Sequence, residues 1–202
     1  MKLDIVICGV GGQGNLLASV AIAQYAIGKG LNVFGTETIG AAQRGGSVVS
    51  HLRISDQAIF SPLVPQASAD LLIGFEPIEA LRNIRLVNPE TRFIINMQPV
   101  PTVLCNMGLD AYPAPDNIVQ VFRNRCAEGY VFNATMKAQA LGNALMTNVV
   151  ILGALARISS FFDKEEFSRT VADLLPAKIQ DINLQAFNLG YGLIDQEQSN
   201  IA

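Results

Sequence analysis

Apolar and polar positions along the chain predict strands and helices in turn. Leu3–Cys8 is a short, mostly apolar run rich in β-branched residues, the pattern of a strand buried on both faces. It stops at Gly9-Val10-Gly11-Gly12-Gln13-Gly14. A helical period follows from Leu16 to Ile27, with Leu16, Leu17, Val20, Ala23 and Ile27 able to share one face, and Gly28 and Gly30 close it. Leu31–Gly35 is expected as the second strand, parallel to the first in a right-handed βαβ unit. A polar, glycine-rich loop from Thr36 to Gly46 leads to Ser47–Ile54, whose alternation marks a strand with one wetter face.

Residues 55–69, with Pro62 and Pro65, read as a connection. Ala69–Phe75 and Thr91–Asn96 are buried strands flanking a helix over Glu76–Val87, with Pro77 at its first position. Prolines crowd the region after Pro99, and Asn117–Glu128 and Tyr130–Phe132 follow as helix and strand. From Ala134 the pattern is helical. Residues 144–158 are apolar on nearly every side, which predicts a buried helix. Asp163 suits an N-cap with Glu166 as its reciprocal partner and Phe162–Phe167 as a staple. Pro176 opens a last helix lined by Ile179, Ile182, Ala186 and Leu189, and Gly190 is expected to end it. The expected fold is α/β, a Rossmann-like, doubly wound, mainly parallel sheet with a helical C-terminal part, built as one domain over residues 1–202.

Composition narrows the chemistry. The net charge of −3 offers no basic face to nucleic acid. Three cysteines, Cys8, Cys105 and Cys126, without short spacing give no disulfide framework, zinc ribbon or self-contained iron–sulfur site. A single histidine, His51, excludes any site that needs two, and a lone strand histidine is read as a surface or hydrogen-bonded residue rather than a catalyst. No apolar run is long enough to span a bilayer, and free cysteines without a leader lead us to expect a cytoplasmic protein.

Two segments carry candidate chemistry. In Gly9-Val10-Gly11-Gly12-Gln13-Gly14, Gly9, Gly11 and Gly14 fit a Gly-x-Gly-x-x-Gly turn between strand and helix. Such a turn offers amides and the positive helix end to a phosphate. Glu37 lies near the place, about 20 residues on, where an acid would hold a ribose. The same glycines also fit a tight turn that serves packing alone. In Gln43-Arg44-Gly45-Gly46-Ser47, a guanidinium and two flexible amides can meet one anion, or form a solvated turn. The carboxyl ends of the strands, Gly9–Gly12, Thr36-Glu37, Phe75-Glu76-Pro77, Asn96-Met97-Gln98 and Asn133-Ala134-Thr135, are expected to line one crevice. No nucleophile, general-base pair or metal set is present, so the chain has no catalytic centre of its own to name.

The glycine turn, followed by Leu16-Leu17-Ala18-Ser19 and then by Glu37-Thr38-Ile39-Gly40-Ala41-Ala42-Gln43-Arg44-Gly45-Gly46-Ser47, resembles the gamma-type domain of 2-oxoacid:ferredoxin oxidoreductases. Ser61-Pro62-Leu63, Ala69-Asp70-Leu71-Leu72, Phe75-Glu76-Pro77, Asn96-Met97-Gln98-Pro99 and Asn183-Leu184-Gln185-Ala186-Phe187 extend the likeness over essentially the whole chain. It is nearest to the small subunits of the indolepyruvate branch. The resemblance implies a subunit, inactive alone, of an enzyme that decarboxylates a 2-oxoacid oxidatively to an acyl-CoA and reduces ferredoxin. It implies thiamine diphosphate and iron–sulfur clusters on a large alpha subunit, ferredoxin reached through the complex, and coenzyme A as substrate. No cofactor would be held tightly here. Coenzyme A would contact Gly9, Gly11, Gly12, Gln13, Gly14, Glu37, Arg44, Gly45 and Gly46. Where indolepyruvate-type subunits carry His and Met in a Glu-x-His-Gly-Met stretch, this chain has Ile39 and Ala41, so pyruvate and branched-chain enzymes stay open. So do a purely structural subunit and a stand-alone nicotinamide dehydrogenase.

Overall fold

A computed structural model describes residues 1–40, 45–126 and 128–199. Six strands form one sheet: β1 (Lys2–Val10), β2 (Asn32–Ile39), β3 (Ser47–Ser55), β4 (Leu71–Gly74), β5 (Arg92–Asn96) and β6 (Glu128–Phe132), in the order β2-β3-β1-β4-β5-β6. β1, β4, β5 and β6 run parallel, and β3 runs antiparallel to both neighbours. The expected adjacent βαβ unit is therefore corrected. Helix α1 (Asn15–Gly28) leads from β1 to β2, but β3 lies between them, because β2 and β3 pair along their whole length as a hairpin. β2 also runs on to Ile39, past the expected end at Gly35.

Helices cover both faces. Short α2 (Pro77–Arg82) and α4 (Pro115–Arg123) pack on one face, over a core of Cys8, Leu72, Phe93, Ile95 and Phe122. Between them, α3 (Val103–Asn106) is a single turn in the proline-rich stretch. The other face carries α1 and the C-terminal helices α5 (Ala134–Ala140), α6 (Thr147–Ile158), α7 (Lys164–Asp173) and α8 (Ala177–Ser199), with the larger core. α6 is buried nearly all round, as its composition predicts.

Three local expectations change. α1 buries Ala18, Ala21, Ile22, Tyr25 and Ala26, while Leu16 and Ile27 stay 60% exposed, since the small-residue face lets the helix lie close to the sheet and α6. Asp163 does cap α7 by accepting from the Glu166 amide at 2.9 Å, but the Glu166 carboxylate pairs with Lys29 instead of returning to the cap. Phe162 stacks on Phe167, as a staple should. α8 passes straight through Gly190, which faces the α6 backbone.

His51 on β3 accepts a hydrogen bond at Nδ1 from the Val64 amide at 3.2 Å. Burial, with the Arg85 charge second, holds its pKa below the usual 6.5. Because the folded value is depressed, the folded chain binds fewer protons below that pH. The stabilisation is full above about 6.5 and falls as pH drops through the window beneath it. Urea unfolding at a series of pH values should show this loss, and His51→Asn, which keeps an acceptor, should flatten it. An unchanged slope in the variant would assign the loss elsewhere.

A candidate anion site at two paired glycine turns

The chain reverses its direction of travel across the sheet between β1 and β4, the place where open α/β sheets leave a crevice at their carboxyl ends. Three segments meet there. Gly11 donates its amide to the Gly46 carbonyl at 2.8 Å, and the Gly45 amide returns to the Gly11 carbonyl at 3.4 Å. The two glycine segments singled out in the sequence are thus one backbone-paired unit. Gln13 spans the switch point: its Oε1 accepts from the Val10 amide at 2.7 Å, and its Nε2 donates to the Phe75 carbonyl at 3.2 Å. Asn96 Nδ2 donates to that same carbonyl at 2.9 Å and to Thr135 Oγ1 at 3.0 Å, so the ends of β4, β5 and α5 are tied to the turn.

The individual glycines divide the labour differently from the simple fingerprint. Gly9 is still in β1, and a Cβ there would lie 2.8 Å from Asn15 Oδ1, Gln13 Oε1 and Phe75 Cβ. The Gly11 amide, expected to approach a ligand, is spent on Gly46. Gly12 has φ +103° and Gly45 φ +78°, conformations that side chains with a Cβ rarely adopt, and both face open space. Gly14, with φ +86°, packs against Asn148 at the start of α6 rather than against a strand. The amides of Gly12 and Gly14 have no hydrogen-bond partner among the described residues. α1 begins here without an acidic residue in its first turn, so its positive end stays uncompensated.

Glu37 is placed elsewhere. It is inside β2, in register with Ser50 on β3, which in turn faces Ile7 on β1. Its carboxylate accepts from Ser19 Oγ at 2.9 Å and Ser50 Oγ at 3.2 Å. Thr36 and Glu37 therefore sit at the sheet edge, two strands from the glycine turn. Arg44, with Gln43 beside it, lies outside the described residues.

Two buried carboxylates that the pattern did not single out as a pair complete the surroundings. Glu76, 0% exposed, caps α2 by accepting from the Glu79 amide at 2.9 Å, and its other oxygen accepts from the Val100 amide at 3.1 Å and from the Tyr112 hydroxyl. Burial, then this hydrogen bond, raises the Tyr112 pKa, which keeps the phenol a donor. Glu79, 3% exposed, accepts from Ser47 Oγ at 2.5 Å and pairs with Arg82. The Glu-Pro-x-Glu spacing at 76–79 was the available signal for a capped helix start. Nothing local points to Tyr112, which reaches Glu76 from 36 positions away. Cys8 is inert packing: burial foremost, helped by the Glu79 and Glu76 charges, pushes its thiol pKa up.

The model of the pyruvate ferredoxin/flavodoxin oxidoreductase family matches residues 4–193. The chain is 40% identical over 192 residues to indolepyruvate oxidoreductase subunit IorB of Archaeoglobus fulgidus, covering 95% of this chain and 94% of that one. It is 24% identical to 2-oxoglutarate synthase subunit KorC of Methanocaldococcus jannaschii, covering 95% and 93%. Among solved structures, the gamma subunit of a keto/oxoacid ferredoxin oxidoreductase from Geobacter sulfurreducens shares the fold. Its TM-score is 0.67 at 23% identity, over 94% of this chain and 96% of that one. The 2-oxoglutarate:ferredoxin oxidoreductase of Magnetococcus marinus, solved with 2-oxoglutarate, coenzyme A and succinyl-CoA, matches with a TM-score of 0.74 at 20% identity. That match spans 96% of this chain but 31% of the longer one. Matched by the family model over residues 4–193 and by subunit IorB over 95% of its length, the chain belongs to the pyruvate ferredoxin/flavodoxin oxidoreductase family as a small subunit of a 2-oxoacid:ferredoxin oxidoreductase.

Proposed function

We propose that this subunit holds the phosphates of coenzyme A at the paired glycine turns, beside a larger subunit of an aryl-pyruvate, indolepyruvate-type enzyme. The observation that carries the reading is the Gly11–Gly46 backbone pair, which sets two turns with positive-φ glycines at the uncompensated start of α1. Unpaired amides at a helix N-terminus suit a phosphate. The indolepyruvate assignment is supported by relatives of that name at 35% to 40% identity, and the coenzyme A assignment by the coenzyme A bound to the Magnetococcus enzyme.

Iron–sulfur clusters call for about four thiolates. This chain has three cysteines, and among the described residues no group of three or more histidine, cysteine or acidic side chains could hold a metal. The family resemblance implies that the clusters and thiamine diphosphate are on the larger partner, where they would supply electron transfer and decarboxylation. This chain's share is positioning. Fixing the coenzyme A phosphates orients its thiol toward the partner's active site, the kind of effect worth about 7–11 kcal/mol in favourable intramolecular cases.

A pair of substitutions in the co-purified complex tests the site. Asn and Asp both tolerate positive φ and differ mainly in charge. A carboxylate about 6 Å from a phosphate at an effective dielectric near 20 costs roughly 2–3 kcal/mol, or roughly 30- to 150-fold. Gly12→Asp should raise the apparent KM for coenzyme A by that factor and Gly12→Asn by far less. Equal KM values for the two variants would remove the glycine turn from coenzyme A binding.

A further inference from the structure

We propose that Ser47 and Glu79 are positioning residues for coenzyme A, acting through the Gly45–Gly46 segment; the proposal rests on the reading above. Ser47 follows that segment directly and is the first residue of β3. Its carbonyl accepts from the Gly40 amide at 2.8 Å, which closes the base of the β2–β3 turn. Its hydroxyl points to the opposite face from α1 and donates to Glu79 Oε2 at 2.5 Å.

Glu79 is well placed to be the fixed end of this contact. It is 3% exposed, and its other oxygen accepts from Arg82 one turn along α2. Its backbone amide is held by Glu76, which the Val100 amide and Tyr112 hydroxyl hold in turn. A carboxylate with both oxygens engaged has little freedom to follow a moving turn, so the turn must follow it. Arg82 also offsets a negative charge that would otherwise act on an anion bound at the neighbouring glycines.

The chain of contacts runs from α2 through Glu79 and Ser47 to Gly46, and from Gly46 to Gly11 by the 2.8 Å hydrogen bond. Gln13 ties the Gly9–Gly14 turn to the ends of β1 and β4, and the strand pairing of Val10 with Ser47 sets the base of both turns. The serine hydroxyl adds the tie from the Gly45–Gly46 side to α2. Neither residue needs to touch the ligand.

The test uses the complex with its larger subunit and measures apparent KM separately for coenzyme A and the 2-oxoacid. Ser47→Ala should raise the value for coenzyme A about tenfold and leave the value for the 2-oxoacid unchanged, the cost of about one charged hydrogen bond. Ser47→Thr, which keeps the hydroxyl, should restore it. If Gly12→Asp raises the coenzyme A value and Ser47→Ala does not, the positioning role is overturned while the anion site stands. If both KM values move together, or Thr fails to rescue, Ser47 is a structural stitch and the proposal is again overturned. If neither Gly12→Asp nor Ser47→Ala moves the coenzyme A value, the site itself falls and the proposal with it.

Discussion

Replacing Gly190 by alanine should destabilise the protein by about 3 kcal/mol, and valine should prevent folding to a soluble chain. Midway along α8, Gly190 meets α6 so closely that an added Cβ would lie 1.8 Å from the Val150 carbonyl oxygen and 2.7 Å from its carbon. The contact is reciprocal: a Cβ at Gly153 on α6 would lie 2.0 Å from the Phe187 oxygen on α8. These neighbours are backbone atoms, so no rotamer change relieves the overlap. The helices would have to separate along a face lined by Val150, Ala154, Ala186 and Phe187, opening voids in the larger core. The sign makes the test sharp. In an exposed helix interior, Gly→Ala stabilises by about 0.5–1 kcal/mol. Gly192, two positions on, has nothing within 4 Å and should show that gain. Urea unfolding of Gly190→Ala and Gly192→Ala therefore predicts shifts of opposite sign. A neutral or stabilising Gly190→Ala would mean that α6 and α8 cross more loosely, with room for a Cβ between them.

Loss of the Glu76 carboxylate is the other large expected effect. Glu76→Ala removes the cap of α2, worth about 1 kcal/mol, and hydrogen bonds from the Val100 amide and the Tyr112 hydroxyl, each worth about 1.5–3 kcal/mol to a charged acceptor. The combined expectation is about 3–5 kcal/mol, since the terms share one side chain and do not add fully. Glu76→Gln keeps the shape but turns one acceptor into a donor. Tyr112 can rotate its hydroxyl to accept, whereas the Val100 amide cannot, so this variant should recover part of the loss. Tyr112→Phe removes a single donor and should cost less than either. Thermal and urea unfolding of the three variants give the order; a Tyr112→Phe as damaging as Glu76→Ala would locate the energy in ring packing rather than in the carboxylate.

Much of the molecule could be read from local pattern, and the errors share a cause. The helix starts at Pro77 and Asp163 were visible, because a cap involves residues within one turn of each other. The same holds for the apolar strands and for α6, whose composition leaves no polar side to expose. Local pattern marks Gly190 as a helix end, since glycine near the close of an apolar period ordinarily is one. Its reason is another helix, which a single segment does not display. The buried face of α1 differs from the expected one for a related reason: apolar residues occur all round it, and only the neighbours decide whether alanines or leucines go inside.

The candidate site follows the same division. The glycine-rich turns stood out because glycine at φ +103° and φ +78° is a local demand. That they form one backbone-paired unit, that Gln13 and Asn96 converge on the Phe75 carbonyl, and that Glu37 sits two strands away depend on β3 entering the sheet between β1 and β2. Sequence alone determined most of the strands and helices, the cap at Asp163 and the turns with special backbone needs, because those free energies arise among residues a few positions apart. Tertiary structure decided which strands are neighbours, which helix face is buried and which carboxylates hold the turns. Those outcomes depend on burial and close contact between residues such as Ser47 and Glu79, and on partners that only the folded chain brings together.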